Sequence, residues 1–201
     1  MKSPLFYKSV KHYIIYFVAT YVILSICEYL IHRFLMHTNI SSIGKSHLIH
    51  HKNTRKDMTL DTNGDDYDKI LPSENLVLDS GIENSAVFIV SVLIVLGFYR
   101  YYPVKLNLKV LIGIQVLFGT YILLTWNSIH TFLHGRDGQK MGYFSLCNKS
   151  TKYLVERSSF LRWLIRNHVA HHNVKGDKKG NYNITLPGAD FLFNTYNVYE
   201  S

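Results

Sequence analysis

Residues 13–31 read YIIYFVATYVILSICEYLI, and their only charge is Glu28, near the end. Nothing else in the sequence narrows the possible folds as much. A helix that is apolar all round belongs inside a large core or inside a bilayer. At 1.5 Å per residue this one can cross a hydrocarbon layer of about 30 Å. A signal peptide is the competing reading, since Lys2, Lys8 and Lys11 precede the block. The block is long and rich in Tyr, shows no clear small-residue cleavage site, and runs directly into histidines, so a membrane span is preferred.

Two more apolar blocks follow, at about 82–102 and about 108–129, separated by Pro103 and the stretch VKLNLK. That separation suits a tight helical hairpin whose two ends lie on the same side, whether it crosses the bilayer or re-enters it. The expected fold class is an all-α integral membrane protein. It would be one domain, 1–201, with a bundle of about three to four membrane helices and segments at about 13–31, 82–102 and 108–129. The polar loop 52–81 and the C-terminal region 130–201 would then share one face. Arg33, Lys45, Lys52, Arg55, Lys56 and most later basic residues lie on it, so the positive-inside tendency makes that face cytosolic.

The formal net charge of +8 is then accounted for at a membrane surface. No groove-reading basic helix or RNA-binding signature occurs, and nucleic acid is not an expected partner. With 47% hydrophobic and 18% charged residues, the chain is too apolar for disorder. Cys27 and Cys147 form neither a disulfide framework nor a metal motif. Asp61, Asp65, Asp66 and Asp68 hint at calcium, but the loop lacks a Glu at its twelfth position and reads as solvated. Leu71, Leu76, Val77 and Leu78 could touch the membrane surface. Asn39, Asn148 and Asn183 begin N-x-[ST] sequons that a cytosolic face would leave unmodified.

The chain has eleven histidines. All but His12 fall into four groups: His32 and His37; His47, His50 and His51; His130 and His134; His168, His171 and His172. Each group lies on the proposed cytosolic face, at or just past a membrane end. HLIHH (47–51) and HVAHH (168–172) repeat one phrase, and positions i, i+3 and i+4 share a helix face. His32 and His37, five apart, stand roughly 140° from each other on an ideal helix. They share a face only if the helix is distorted there or if they serve different metals. In SSFLRWLIRNHVAHHN (158–173), Leu161, Leu164, Ile165 and His168 form a stripe that His171 and His172 extend, with Arg162, Arg166 and Asn167 off it. Ser158 or Ser159 can cap that helix, and Gly176 suits the region beyond its end. Packing gains nothing from so many inward imidazoles, since each needs partners for its ring nitrogens. Metal ions supply partners for many at once, and ten ligands exceed one first-row metal's shell.

In order the groups read H-x4-H, H-x2-H-H, H-x3-H, H-x2-H-H. The segments EYLIHRFLMH (28–37), SHLIHHKN (46–53), HTFLH (130–134) and NHVAHHN (167–173), with the closing stretch NYNITLPGADFLFNT (181–195), resemble the fatty acid hydroxylase superfamily. That group includes sphingolipid fatty acid 2-hydroxylases, sterol C4-methyl oxidases, sterol C5-desaturases and carotene hydroxylases. The likeness covers most of 13–196. It implies two iron ions, with zinc as a possible substitute, at the cytosolic end of a helical bundle in the endoplasmic reticulum membrane. There O2 is activated, and oxygen is inserted into a lipid C–H bond or hydrogen removed from it. By position, all ten clustered histidines map onto the family's ligand boxes, one or two of them as outer partners. Glu28, four residues before His32, could orient that ring; a simple interfacial acid is the alternative. Asp190 and Asn194 are further candidates for outer or structural roles, and Asn127 and Asn173 weaker ones. The chain has no room for the fused cytochrome b5 domain of many fatty acid 2-hydroxylases, so a separate donor such as cytochrome b5 or ferredoxin is expected. The loop 52–81 also differs from a compact linker.

Acyl-chain desaturases share three of these boxes. The additional H-x3-H pair and the short gap between the first two boxes favour the hydroxylase type, while hydroxylation and desaturation stay open. From other classes, a bis-histidine haem protein or a metal transporter would place its histidines within the spans. A membrane protein stabilised by structural zinc is a further alternative.

Overall fold

The structure, a computed structural model, describes residues 4–69, 81–135, 146–174, 176 and 179–198. Among these residues the chain forms helices and turns, with a single isolated bridge between Thr54 and Leu60. The first apolar block lies in α1 (Pro4–Leu30), which continues into a π-helical turn, Ile31–Met36. After a short connection comes α2 (Ser42–Asn53), whose start is capped by the Ser41 hydroxyl accepting from the Gly44 N–H at 3.0 Å.

The second and third blocks form the expected hairpin, α3 (Gly81–Tyr101) and α4 (Leu108–Thr125). α3 stops just before Pro103, whose ring cannot continue a helix. The Asn107 side chain starts α4 by accepting from the Lys109 N–H at 2.9 Å. α4 also runs into a π-helical turn, Trp126–His130, and then the short α5 (Thr131–Leu133). α6 (Asn148–Arg157) and α7 (Ser159–Asn173) pack on each other, and α8 (Ala189–Leu192) lies against α1.

The hairpin turn packs against the beginning of α1. The Asn107 N–H donates to Tyr13 Oη at 3.0 Å, His12 and Tyr102 share a 2.9 Å hydrogen bond, and Tyr16 meets Phe98 edge to face. The far ends of α1 and α4, with their π turns, therefore come together at the opposite end of the bundle.

Two helical stretches, Val10–Met36 and Leu108–Leu133, are long and apolar enough to cross a membrane. Only 28% and 22% of their apolar windows are buried inside the protein, unlike the core helix of a soluble fold. The block expected at 82–102 forms α3, whose described apolar stretch is Phe88–Tyr101. Ile14 and Val18 on α1, Leu93 on α3, and Val116 and Leu117 on α4 all stand exposed.

Between α1 and α4 the closing stretch threads as irregular backbone, with Leu186 in the same core as Tyr16, Leu24, Leu111 and Phe118. At such a depth unpaired backbone is costly, and polar side chains of the helices meet it. Ser25 Oγ donates to Leu186 O at 2.8 Å, Tyr121 Oη to Thr185 O at 2.8 Å, and Tyr21 Oη to Pro187 O.

Of the polar loop 52–81, residues to Lys69 are described, and Leu71, Leu76, Val77 and Leu78 fall outside the described residues. Its acidic residues form ion pairs on the surface: Lys52 with Asp65, Arg55 with Asp61, and Lys69 with Asp66.

α2 crosses the π turn of α1 at Gly44, where an added Cβ would meet Thr38 O at 2.0 Å and Leu35 O at 2.6 Å. Both are backbone atoms, so the helix itself would have to move. Gly44→Ala should cost about 1–3 kcal/mol, read as a lower thermal midpoint in detergent. Gly97→Ala, whose Cβ meets nothing within 4 Å, should unfold near the wild-type temperature. Equal midpoints for the two variants would refute the close crossing.

Candidate metal centre

The π turn answers the spacing problem of the first pair. Its i→i+5 pattern closes with the His37 N–H donating to His32 O at 3.2 Å. That brings residues five apart onto one face, and the two rings stack with centroids 5.1 Å apart. The second π turn, at the end of α4, delivers His130, and α5 places His134 beside it with ring centroids 4.8 Å apart.

The two repeated phrases do not each serve one site, as a shared helix face would suggest. His32, His37, His47, His51 and His171 form one group, and His50, His130, His134 and His172 a second. In each group the possible ligand atoms lie within 4.8 Å of one another. His168 stands beside the second group, its Nε2 3.1 Å from that of His172. A repeat underlies this division. In HLIHH the outer histidines go with the π-turn pair before them, and in HVAHH they lie with His130 and His134. The middle histidine of each phrase, His50 or His171, crosses to the opposite group. The groups meet where His51 and His172 stack at 4.1 Å.

In the first group five contacts of 3.0–3.2 Å join Nε2 atoms: His32–His47, His37–His47, His47–His51, His37–His171 and His51–His171. Protons cannot satisfy all of them. His32 Nδ1–H donates to Tyr182 O at 2.7 Å and His171 Nδ1–H to Gly180 O at 2.9 Å. Both Nε2 atoms therefore carry lone pairs. His47 must then donate to His32, which makes His37 an acceptor towards His47 and leaves two lone pairs facing each other between His37 and His171. A cation removes the conflict. Nitrogens at right angles around a metal with bonds of about 2.1 Å stand about 3 Å apart, which matches the contacts.

In the second group His134 Nδ1–H donates to Met58 O at 2.6 Å, so its Nε2 is a lone pair, buried and without a hydrogen-bond partner. Neither ring nitrogen of His130 has one either. Each such orphan costs about 1–3 kcal/mol. The histidine clusters can hold metal ions, and an all-imidazole donor set suits iron, zinc, copper or nickel.

Electrostatics keeps the rings unprotonated. Burial, reinforced by neighbouring rings, holds His47, His51, His168, His171 and His172 well below the ordinary 6.5. Burial pushes His134 to about 4, and burial with His32 and Lys179 pushes His37 to about 2.

The other candidate residues lie further out. Glu28 does not touch His32. Its carboxylate accepts from the N–H groups of Ile184, Thr185 and Leu186, from Thr185 Oγ1 and from Asn183 Nδ2, at 2.8–3.2 Å. It pins the loop whose Tyr182 carbonyl orients His32. Asp190 serves the same loop, accepting from Tyr182 N, Asn183 N and Thr195 Oγ1. Asn194 is exposed and shapes the turn after α8 with a φ of 54°. Asn167, expected off the inward stripe, is buried and donates to Asn183 O at 2.7 Å. Ser158 caps α7 as anticipated, and Leu164 is buried. Asn127 is buried in the second π turn, while Asn173 donates to Val169 O. Asn183, in the third sequon, is fully enclosed.

Met58, Gly180 and Tyr182 were not foreseen as ring partners. They act through backbone carbonyls, which any residue type supplies; the one local signal is the left-handed φ of 71° at Met58, invisible in sequence. Comparison with family models, curated proteins and solved structures finds no match for the chain.

Glu28→Ala would leave a set of buried donors without an acceptor. It should destabilise the protein by more than about 3 kcal/mol and lower metal retention, although Glu28 is not a ligand; unchanged melting and metal content would refute its anchoring role. Metal-stripped protein should also lose stability in acid. Unfolded imidazoles bind protons below 6.5, while the folded rings stay neutral to about 4 or lower. The unfolded state is the one that gains protons, so the thermal midpoint in detergent should fall steadily from pH 6.5 towards pH 4. A midpoint flat over that window would contradict the buried neutral cluster.

Proposed function

We propose that this chain is a membrane-bound, O2-dependent di-iron lipid oxygenase that hydroxylates a fatty acyl or sphingolipid chain. Desaturation of a lipid or sterol by the same centre is the close variant. The observation that carries the reading is the convergence of the clustered histidines into two adjoining groups at one end of two long apolar helices. The sequence resemblance to the fatty acid hydroxylase superfamily supplies the reaction class.

Two bound irons would supply the oxidising power that an unactivated C–H bond requires and that no side chain offers, with electrons from a separate donor such as cytochrome b5 or ferredoxin. The protein's own part is binding, orientation and exclusion of water. Lone pairs on Nε2 would bind the metals, and the carbonyls of Tyr182, Gly180 and Met58 fix three rings through Nδ1–H. Most of the rings are fully buried, and only His37, His51 and His172 are partly uncovered. Access to the centre would therefore be from their side, and bulk water would be kept from the rest. Leu30, Ile31, Phe34 and Leu35, exposed beside the first group, would bring a lipid chain to the same level. In this reading the histidine end faces the cytosol, and the bilayer is that of the endoplasmic reticulum.

A bis-histidine haem site fits poorly, because ring nitrogens 3.0–3.2 Å apart leave no room for a macrocycle between them. The deciding experiment is elemental mass spectrometry of detergent-purified protein, with lipid analysis of cells expressing it. Two metals per chain are expected. His171→Ala should lower the metal content and abolish the oxidised lipid product. Full product from His171→Ala, or no metal in well-folded protein after iron reconstitution, would overturn the proposal. Tightly bound zinc with no product under iron, O2 and electron supply would favour the structural-zinc reading.

A further inference from the structure

Two runs of aromatic contacts lie at the histidine end of the molecule, one from Phe34 to Phe193 through Arg33 and Tyr29, the other from Tyr196 to Phe160, and the chain at the end of α8 joins them. Phe34, exposed at the end of α1, lies beneath the Arg33 guanidinium, 5.2 Å from its ring centroid, and the same guanidinium covers Tyr29 at 5.6 Å. Tyr29 stacks on Phe193 at 4.7 Å. Two residues earlier, Phe191 stacks on Tyr196 at 4.3 Å and approaches Trp163, which in turn approaches Phe160. Phe160, Phe191 and Phe193 are each more than 40% exposed, and Leu192 is 66% exposed.

The aromatic line thus starts where the uncovered apolar surface of α1 ends and turns sideways along α8 and α7. Its flank is basic. The described sequence of α6 and α7 carries Lys149, Lys152, Arg157, Arg162 and Arg166 against one acid, Glu156. Arg162 and Arg166 stand exposed on the helix that carries Phe160 and Trp163.

We propose that this strip is a membrane-interface belt: the α7–α8 side of the histidine end lies in the headgroup layer of an anionic bilayer leaflet. Two features identify the partner as a lipid surface. Rings with an apolar body and a polar edge, such as Trp163 and Tyr196, partition to the headgroup level, and neighbouring arginines pair with lipid phosphates. The strip also adjoins the exposed end of the first long helix: Phe34 and Phe193, both exposed, flank the buried Tyr29, so a bilayer around that helix would reach the strip.

The inference rests on the membrane reading above and goes further, because it sets the depth of the metal centre. The centre would lie at the lipid surface instead of standing off in the cytosol. A lipid substrate could then reach the partly uncovered His37, His51 and His172 without leaving the bilayer.

The test uses tryptophan fluorescence of the full chain in phosphatidylcholine–phosphatidylserine vesicles. The chain has two tryptophans, and Trp126 is buried. The signal lost in Trp163→Phe therefore isolates Trp163. Nitroxide-labelled phosphatidylcholine should quench that signal roughly twofold more when the label is near the headgroup than when it is at the acyl terminus, and aqueous iodide should have little effect. Leu117→Trp in the Trp163→Phe background reports on the exposed face of α4 and should be quenched most by the deep label. Quenching of that reference, with Trp163 quenched by iodide and not by lipid, would overturn the belt and leave the span; it would mark a face for water or a protein. Failure of both probes to respond to lipid would overturn the membrane reading and the belt with it. Should Trp163→Phe disturb folding, a nitroxide on Leu192→Cys, made in a Cys27→Ser, Cys147→Ser background, reads the same surface. Its collision rate should favour O2 over a water-soluble nickel complex, and the reverse preference would sink the proposal.

Discussion

Everything at the histidine end follows from lone pairs that have no protons to share. Tyr182 and Gly180 hold the Nδ1 protons of His32 and His171, so two Nε2 atoms of the first group are fixed as acceptors. No distribution of the remaining protons satisfies the contacts that link them to His37, His47 and His51. In water such rings would turn away or take up protons. Here burial prevents both, and the mutual effect of the rings keeps their protonation well below the ordinary range. A cation other than a proton would relieve this conflict. The folded geometry itself thus offers two groups of nitrogens that could hold metal ions.

The same constraint accounts for the two π-helical turns. A regular helix would point His32 and His37 in different directions, and the extra residue per turn at Ile31–Met36 lets both reach one group. The turn at Trp126–His130 occupies the equivalent place at the end of α4. Each π turn is followed by a helix bearing His-x-x-His-His, and each of those helices donates its middle histidine across the boundary. That exchange ties the two halves together: removing His50 or His171 takes a ligand from the group that its own phrase does not otherwise serve. A chain with two independent sites would have no use for such crossing.

The apolar blocks and the hairpin were legible because hydrophobic run length and Pro103 act locally. The four histidine groups were legible for the same reason. What sequence could not show was how the phrases divide, since His50 and His51 are neighbours in the chain and their destinations are set by what approaches α2 from either side. The role of Glu28 was hidden differently. Four residues before His32, it read as a partner for that ring, but its oxygens are taken by the backbone of residues 184–186. Contacts across more than a hundred and fifty positions leave no local periodicity. The carbonyl of Met58 left none either, because its side chain has no part in the contact with His134.

Glu28 also shows why the loop at 181–188 belongs with the histidine clusters although it contributes no ring to them. Irregular backbone wedged between two apolar helices has several donors and acceptors to place, and water is scarce there. One carboxylate collects the N–H groups of Ile184, Thr185 and Leu186, while Ser25, Tyr21 and Tyr121 donate to the carbonyls that follow. With those satisfied, the preceding residues have a fixed path, and along that path Gly180 and Tyr182 present their carbonyls to His171 and His32. Asp190 and Asn183 close the far side through mutual hydrogen bonds. The orientation of two rings in the first group thus depends on a loop held from below by α1, and the π turn that continues α1 supplies His32. A shift of that helix would move ligand and orienting carbonyl together, which preserves their relative geometry better than an anchor on a separate element could.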